Sequence, residues 1–141
     1  MLFRSRARHR QAAIQVGSSG AAGPRAAFSP DGKQFAVAGA AGWLTIWDAK
    51  ECAPLRLLAG HDVPVRGLTY TRDSRRLVTA DAAGLCKVWD AQTGEELLTF
   101  RAHDAAVNGL AFSPDGHRLY TAGADRVVRL WDGTPWEGDR R

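Results

Sequence analysis

Short stretches in which apolar and polar residues alternate run through most of this chain, and turn-forming residues separate them. Residues 85–89 have apolar residues on either side of the polar Lys87, and we interpret them as a strand. Three further short strands are predicted in this part of the chain, at residues 65–70, 76–79 and 95–100. The first of them has room for a bulge. The central part of the chain is therefore predicted to be an antiparallel meander of four short strands.

The same pattern precedes and follows this central meander. Further strands are predicted at residues 34–38, 43–47, 55–58, 107–112, 119–122 and 127–131. Asn108-Gly109 is a common hairpin turn, but its position relative to the other repeats lies inside a strand, so we assign it to the strand. We expect an all-β fold.

The pattern has a period of 42 residues. Residues recur at this spacing as Trp47-Asp48, Trp89-Asp90 and Trp131-Asp132; as Phe28, Tyr70 and Phe112; and as His61 and His103. The sequences FSPDG at 28–32, YTRDS at 70–74 and FSPDG at 112–116 fall in the same register. A period of about 40–45 residues that ends in Trp-Asp is typical of one propeller blade.

The two ends of the repeat region complement each other. Val16 precedes Leu58 by 42 residues, which places residues 12–16 in the register of a fourth strand, whereas no fourth strand follows Asp132. The predicted organisation is a basic, disordered arm at 1–11, three repeats within 12–132 (about 12–48, 55–90 and 97–132) and a tail at 133–141.

Composition narrows the functional classes. The chain has 141 residues, of which 45% are hydrophobic and 24% charged, enough to build a core. The net charge of +4 resides in the N-terminal arm, in Arg4, Arg6, Arg8 and Arg10. Because the rest of the chain is neutral, we expect no nucleic-acid-binding surface on the blades. The arm itself is either a solvated tail or a weak binder of anionic surfaces.

No cofactor, metal site or membrane segment is predicted. Cys52 and Cys86 are too far apart to form a close metal-binding pair, so we interpret them as reduced structural thiols. No apolar run approaches the length of a membrane span, and the N-terminus does not resemble a secretory signal. The expected location is cytoplasmic.

The recurring FSPDG, the Gly-His before a first strand and the Trp-Asp that closes a third strand resemble the WD-repeat family of β-propellers. The resemblance covers roughly residues 12–132 and implies three four-stranded antiparallel blades, in a partial propeller or one completed by oligomerisation. Family members often carry a hydrogen-bonded tetrad of His, Ser/Thr, Asp and Trp within a blade, and such a network rigidifies it.

The repeat register assigns this tetrad blade by blade. The third repeat has the full set, the second lacks the Asp because Ala83 occupies its position, and the first retains only the Trp. The third blade is therefore expected to be the best ordered. The assigned residues are His103, Thr121, Asp125, Trp131, His61, Thr79, Trp89 and Trp47.

A hydrolytic triad of His103, Thr121 and Asp125 is the alternative interpretation, since the residue types fit. The same positions recur in the other repeats as structural positions, so we favour the tetrad and predict no catalytic residue. Trp43 lies outside the repeat pattern and either packs on the first blade or contacts a partner.

The resemblance implies a scaffold that binds protein partners and is not an enzyme. Relatives bind partners where the first strands begin, which here points to Pro64, Arg66 and Asn108, with Arg66 as the anchor. Three blades do not close a ring, so either upstream blades are missing or the chain forms a homo-oligomer. The alternative function is a regulatory or sensor fragment of a larger signalling enzyme, such as a protein kinase.

Overall fold

A computed structural model describes residues 25–39 and 41–132, which form three antiparallel β-sheets. Blade 1 contains β1 (Arg25–Phe28), β2 (Gln34–Ala38), β3 (Leu44–Asp48) and β4 (Ala53–Leu58). Blade 2 contains β5 (Val65–Tyr70), β6 (Arg76–Asp81), β7 (Leu85–Asp90) and β8 (Glu96–Arg101). Blade 3 contains β9 (Val107–Phe112), β10 (Arg118–Gly123) and β11 (Val128–Asp132). The all-β architecture of propeller blades is confirmed.

Each blade is a meander in which neighbouring strands follow each other along the chain. The predicted bulge in the first strand of blade 2 is present, between Val65 and Gly67. Asn108 and Gly109 lie within β9, as the repeat register indicates. The basic arm, the predicted strand at residues 12–16 and the C-terminal tail lie outside the described residues.

The blades pack face to face, with their first strands adjacent. β1 contacts β5, and β5 contacts β9. Between blades 1 and 2, the apolar core joins Ile46 and Leu58 of blade 1 to Tyr70, Leu77 and Trp89 of blade 2. All five side chains are buried, and burial of this kind supplies about 1.5–3 kcal/mol for each large apolar side chain.

A second core lies between blades 2 and 3. Cys86 and Val107 are fully buried there. The rings of Phe100 and Trp131 lie 4.6 Å apart between centroids, in a tilted arrangement. Blade 2 therefore contributes apolar side chains to both of its neighbours, one set from each face of the sheet.

One turn position depends on the junctions between blades. Gly42 and Gly84, one period apart, both have a positive φ in the turn that precedes a third strand. A Cβ atom on Gly42 would lie 2.2 Å from the carbonyl oxygen of His61, and one on Gly84 would lie 2.0 Å from that of His103. The loop that precedes the first strand of the following blade, which we call its entry loop, thus leaves no room for a side chain at Gly42 or Gly84.

The part of the chain that the structure describes contains no helix long and apolar enough to cross a membrane.

We predict that Gly84→Ala destabilises the protein by at least about 2 kcal/mol more than Gly32→Ala, because the methyl group overpacks the junction. Gly32 is the matched control, since it also has a positive φ but no atom lies within 4 Å of the place that a Cβ atom would take. Urea unfolding of both variants measures the difference. Equal losses would contradict the contact.

Candidate functional site

In blade 3, four side chains form a continuous hydrogen-bonded network. Trp131 Nε1–H donates to Thr121 Oγ1 at 3.1 Å, and this oxygen lies 2.8 Å from His103 Nε2. The Nδ1 atom of His103 is 2.9 Å from Asp125 Oδ1. The structure thus brings together all four residues of the tetrad assigned to the third repeat.

Blade 2 contains a complete network as well, so the prediction that it lacks the carboxylate was wrong. Trp89 Nε1–H donates to Thr79 Oγ1 at 2.9 Å, and His61 Nε2 lies 2.7 Å from the same oxygen. Asp81, at the end of β6, places Oδ2 2.8 Å from His61 Nδ1. Ala83 occupies the position of Asp125, but the carboxylate comes from two residues earlier.

Blades 2 and 3 supply the carboxylate from different positions because the residue at the end of the second strand differs between them. Asp81 and Gly123 are one period apart, and a Cβ atom on Gly123 would lie 2.4 Å from His103 Nδ1. Glycine makes room at that position, and Asp125 reaches the histidine from the turn. The expectation that blade 3 is the best ordered depended on an incomplete blade 2, and that premise does not hold.

Blade 1 has a different arrangement. Val37 stands at the register position of Thr79. The Nε1 atom of Trp47 is buried and has no hydrogen-bond partner among the described residues. Gly39 corresponds to Asp81, and the ring of Trp43 lies 2.2 Å from where a Cβ of residue 39 would be. Trp43 thus packs on blade 1, in the space that the carboxylate occupies in blade 2.

Donors and acceptors match in blade 2 when His61 is neutral. The indole N–H can only donate, so the Thr79 hydroxyl accepts it and donates its own hydrogen to His61 Nε2, while Nδ1–H donates to Asp81. Burial lowers the pKa of His61, and the hydrogen bond and charge of Asp81 oppose this shift without cancelling it. Burial therefore favours the uncharged ring.

In blade 3 the carboxylate is less enclosed. Burial acts to raise the pKa of Asp125, but hydrogen bonds from the Asp104 amide, His103 and the Val127 amide outweigh this effect, and the pKa lies below its usual value. Thr121 is 1% exposed, so its hydroxyl has no contact with solvent. A nucleophile must reach its substrate, and this geometry therefore fits a structural network better than a hydrolytic triad.

A separate site lies along the first strands of the three blades. A cleft of about 240 Å³ runs across β1, β5 and β9. Its walls carry two arginines, two glycines and two leucines, which are Arg25, Arg66, Gly67, Gly109, Leu68 and Leu110. The Nε atom of Arg66 is buried and lacks a hydrogen-bond partner within residues 25–39 and 41–132.

The other two residues predicted to bind a partner lie outside this cleft. Asn108 is exposed on β9, at the register position of Arg66. The carbonyl of Pro64 accepts a hydrogen bond from the Ala82 amide at 2.9 Å, which fixes the start of β5 against the next turn. The sequence analysis did not identify Arg25 or the two glycines of the cleft. The repeat shows which residues are equivalent, but it does not show where the folded chain leaves an open space.

The two cysteines are free, and burial raises the pKa of the Cys86 thiol to about 12. No group of three or more potential metal ligands occurs among the described residues.

Comparison with protein families identifies the repeat. The model of the WD40 family, described as "WD domain, G-beta repeat", matches residues 52–90 and 94–132, together more than half of the chain. The chain belongs to the WD-repeat family. No curated protein matches the chain at a significant level.

Solved structures of WD-repeat propellers resemble this chain along most of its length. The β-propeller domain of Cps50 (Swd1) from Myceliophteria thermophila is 26% identical, with a TM-score of 0.75 over 86% of this chain. The structure of U3-55K is 28% identical, with a TM-score of 0.73 over 76% of this chain. These matches cover only 36% and 35% of those two proteins, so this chain spans about a third of their length.

Replacing Thr79 tests the network of blade 2. Thr79→Val removes both the acceptor of the Trp89 indole and the donor to His61, and two unsatisfied buried groups cost about 3 kcal/mol. Thr79→Ser keeps the hydroxyl and should cost only about 1 kcal/mol for the lost methyl group. Urea unfolding measures both values, and a Ser variant as unstable as the Val variant would argue against the network.

Acid should destabilise the protein through His61. As the pH falls below about 6.5, this histidine takes up a proton in the unfolded chain, whereas its lowered pKa keeps it neutral in the folded protein. The unfolded state then binds more protons, so the free energy of unfolding declines. The decline between neutral pH and about pH 5 should be smaller in His61→Gln, and an unchanged slope would count against this assignment.

Proposed function

We propose that this chain is a WD-repeat scaffold that binds a protein partner in the cleft around Arg66 and has no catalysis of its own. The observation that carries the proposal is an open cleft lined by two arginines, Arg25 and Arg66, for which no ionic partner lies among the described residues.

The chemistry of the cleft indicates a carboxylate. Arg25 and Arg66 are its charged residues, and neither forms an ion pair among the described residues. A guanidinium binds a carboxylate through two parallel hydrogen bonds. Gly67 and Gly109 lack side chains, so the peptide backbone of a partner can approach the sheet closely. We infer a partner segment with an Asp or Glu side chain followed by an apolar residue against Leu68 and Leu110.

The absence of catalysis is part of the same proposal. Both threonine hydroxyls that contact a histidine, those of Thr79 and Thr121, are buried and hydrogen-bonded within their blades. The free thiols of Cys52 and Cys86 are typical of a reducing compartment, and we also propose a cytoplasmic location.

Peptide selection tests the proposal. We expect peptides selected from a random library on the 141-residue chain to be enriched in Asp or Glu. Their affinity should fall at least about tenfold with Arg66→Gln, as a hot-spot arginine predicts. Arg75→Gln is the matched control, because Arg75 is an exposed arginine in the turn between β5 and β6, away from the cleft.

Calorimetry of the selected peptides gives the affinities. Peptides without acidic residues, or an equal loss of affinity in the two variants, would contradict the assignment of the cleft. An affinity that falls with rising salt more steeply for the wild type than for Arg66→Gln would support the ionic contact of Arg66.

A regulatory fragment of a larger signalling enzyme is the second candidate, since the chain spans only about a third of the propellers it resembles. This function requires a catalytic domain on the same polypeptide. Sequencing the coding region upstream of Met1 tests it: an in-frame kinase domain would support the alternative, and an in-frame stop codon would eliminate it.

A further inference from the structure

The two outer faces of the described blades are apolar, and no described strand of another blade packs on either of them. The upstream face, on the side of blade 1 away from blade 2, consists of Phe28, Phe35 and Trp47. Their rings form a row, with centroids 5.6 Å apart for the first pair and 6.0 Å for the second. The downstream face, on the side of blade 3 away from blade 2, consists of Tyr120, Val128 and Leu130, which are all exposed.

These faces are the two halves of a junction that the chain builds internally. Val128 and Leu130 are 69% and 48% exposed, whereas Leu44 and Ile46, two periods earlier, are fully buried against blade 2. Phe28 is 68% exposed, whereas its counterpart Tyr70 is 5% exposed against blade 1. An upstream face placed on a downstream face would therefore repeat the existing junction.

The free edge of blade 3 complements the residues that precede blade 1. β11 has no partner strand on its outer side among the described residues, whereas β3 and β7 pair with β4 and β8. In blade 1, Leu44 pairs with Leu58. In the sequence, Val16 lies one period before Leu58, and Val128 lies two periods after Leu44. The spacing from Val16 to Phe28 equals the spacing from Leu58 to Tyr70. The sequence between a fourth-strand position and the next first strand therefore has the same length in both cases.

Arg126 stands where blades 1 and 2 have a glycine. It occupies the register position of Gly42 and Gly84 and shares their positive φ. At those two glycines, the carbonyl of a histidine in the next entry loop leaves no room for a Cβ atom. A blade that enters with the same histidine loop would thus clash with Arg126.

Blade 1 enters with a different sequence. Ser18-Ser19 stands where the later repeats have Gly60-His61 and Ala102-His103. Val37 and Gly39 replace the threonine and aspartate that hold the histidine in blade 2.

We propose that a second copy of this chain covers blade 3 in a head-to-tail arrangement. The upstream face of one copy packs on the downstream face of the other, and its residues 12–16 add to β11 as the missing outer strand. This inference does not depend on the binding of a partner at Arg66. Two copies form six blades, within the range of about four to eight known for propellers, whereas three copies form nine.

Molar mass in solution tests the arrangement. Light scattering on a sizing column should give twice the 15.3 kDa of the chain. Because every head-to-tail contact uses one face of each kind, Phe28→Asp and Leu130→Asp should each give a monomer. Leu97→Asp is the matched control, since Leu97 is 40% exposed on β8 of the middle blade and belongs to neither face.

Mixing the two monomeric variants separates this arrangement from others. Phe28→Asp retains an intact downstream face and Leu130→Asp an intact upstream face, so the mixture should form a one-to-one dimer held by one intact junction. Two copies that met through the same face would be disrupted by only one of the substitutions, and mixing would restore nothing. That result would overturn the proposal.

The added strand has its own test. Val16→Asp places a charge at the register position of the buried Leu58 and should weaken dimerisation at least about tenfold. Gln15→Asp, at the register position of the exposed Leu57, should leave it unchanged. Circular dichroism checks that each variant retains its strands.

A folded wild-type chain that stays monomeric at every concentration would overturn the proposal, since the open faces then belong to blades of a longer polypeptide. Aggregates that Phe28→Asp does not dissolve would also overturn it. A dimer that dissociates with both single-face variants and re-forms on mixing is the expected result.

Discussion

Every sheet in this structure is apolar on both faces, and each face must therefore be covered by another sheet. Blade 2 satisfies this requirement inside the chain, with Leu77 buried toward blade 1 and Cys86 buried toward blade 3. Burial of apolar area is the main favourable contribution to folding, and a meander of four short strands cannot obtain it alone. The constraint explains the repeat, because only sheets of matching shape can stack indefinitely.

Polar networks adapt to this stacking and do not cause it. One register position holds Asp81, Gly123 or Gly39 in the three blades, and the space near it is occupied by a carboxylate, by a histidine with Asp125, or by the ring of Trp43. Each solution fills the same volume between a strand end and a loop. Full hydrogen bonding in blades 2 and 3 avoids the cost of an unpaired buried donor, a cost that Trp47 bears among the described residues.

The surfaces that we propose to be functional lie where the chain departs from its own period. Arg66 and Arg25 are not matched by arginines in the other repeats, and together they give the inner cleft its charge. Arg126 replaces a glycine where the other blades need one. In a repeat protein, the shared residues maintain the stacking, so residues that differ between repeats are free to recognise partners.

The sequence by itself determined the class of fold, the number of repeats and the positions of the strands from β2 to β11, whereas β1 (Arg25–Phe28) was not predicted. Three signals in the sequence made this possible: alternation with a period of two, turn residues and the 42-residue repeat. They are easy to recognise because each strand has equivalent neighbours in every blade. The sequence also identified His103, Thr121, Asp125 and Trp131 correctly as neighbours. Only the tertiary structure placed Asp81 beside His61 and opened the cleft at Arg66. Which side chains touch, and where a glycine leaves open space, depends on three-dimensional packing. The spacing of residues along the sequence does not contain this information.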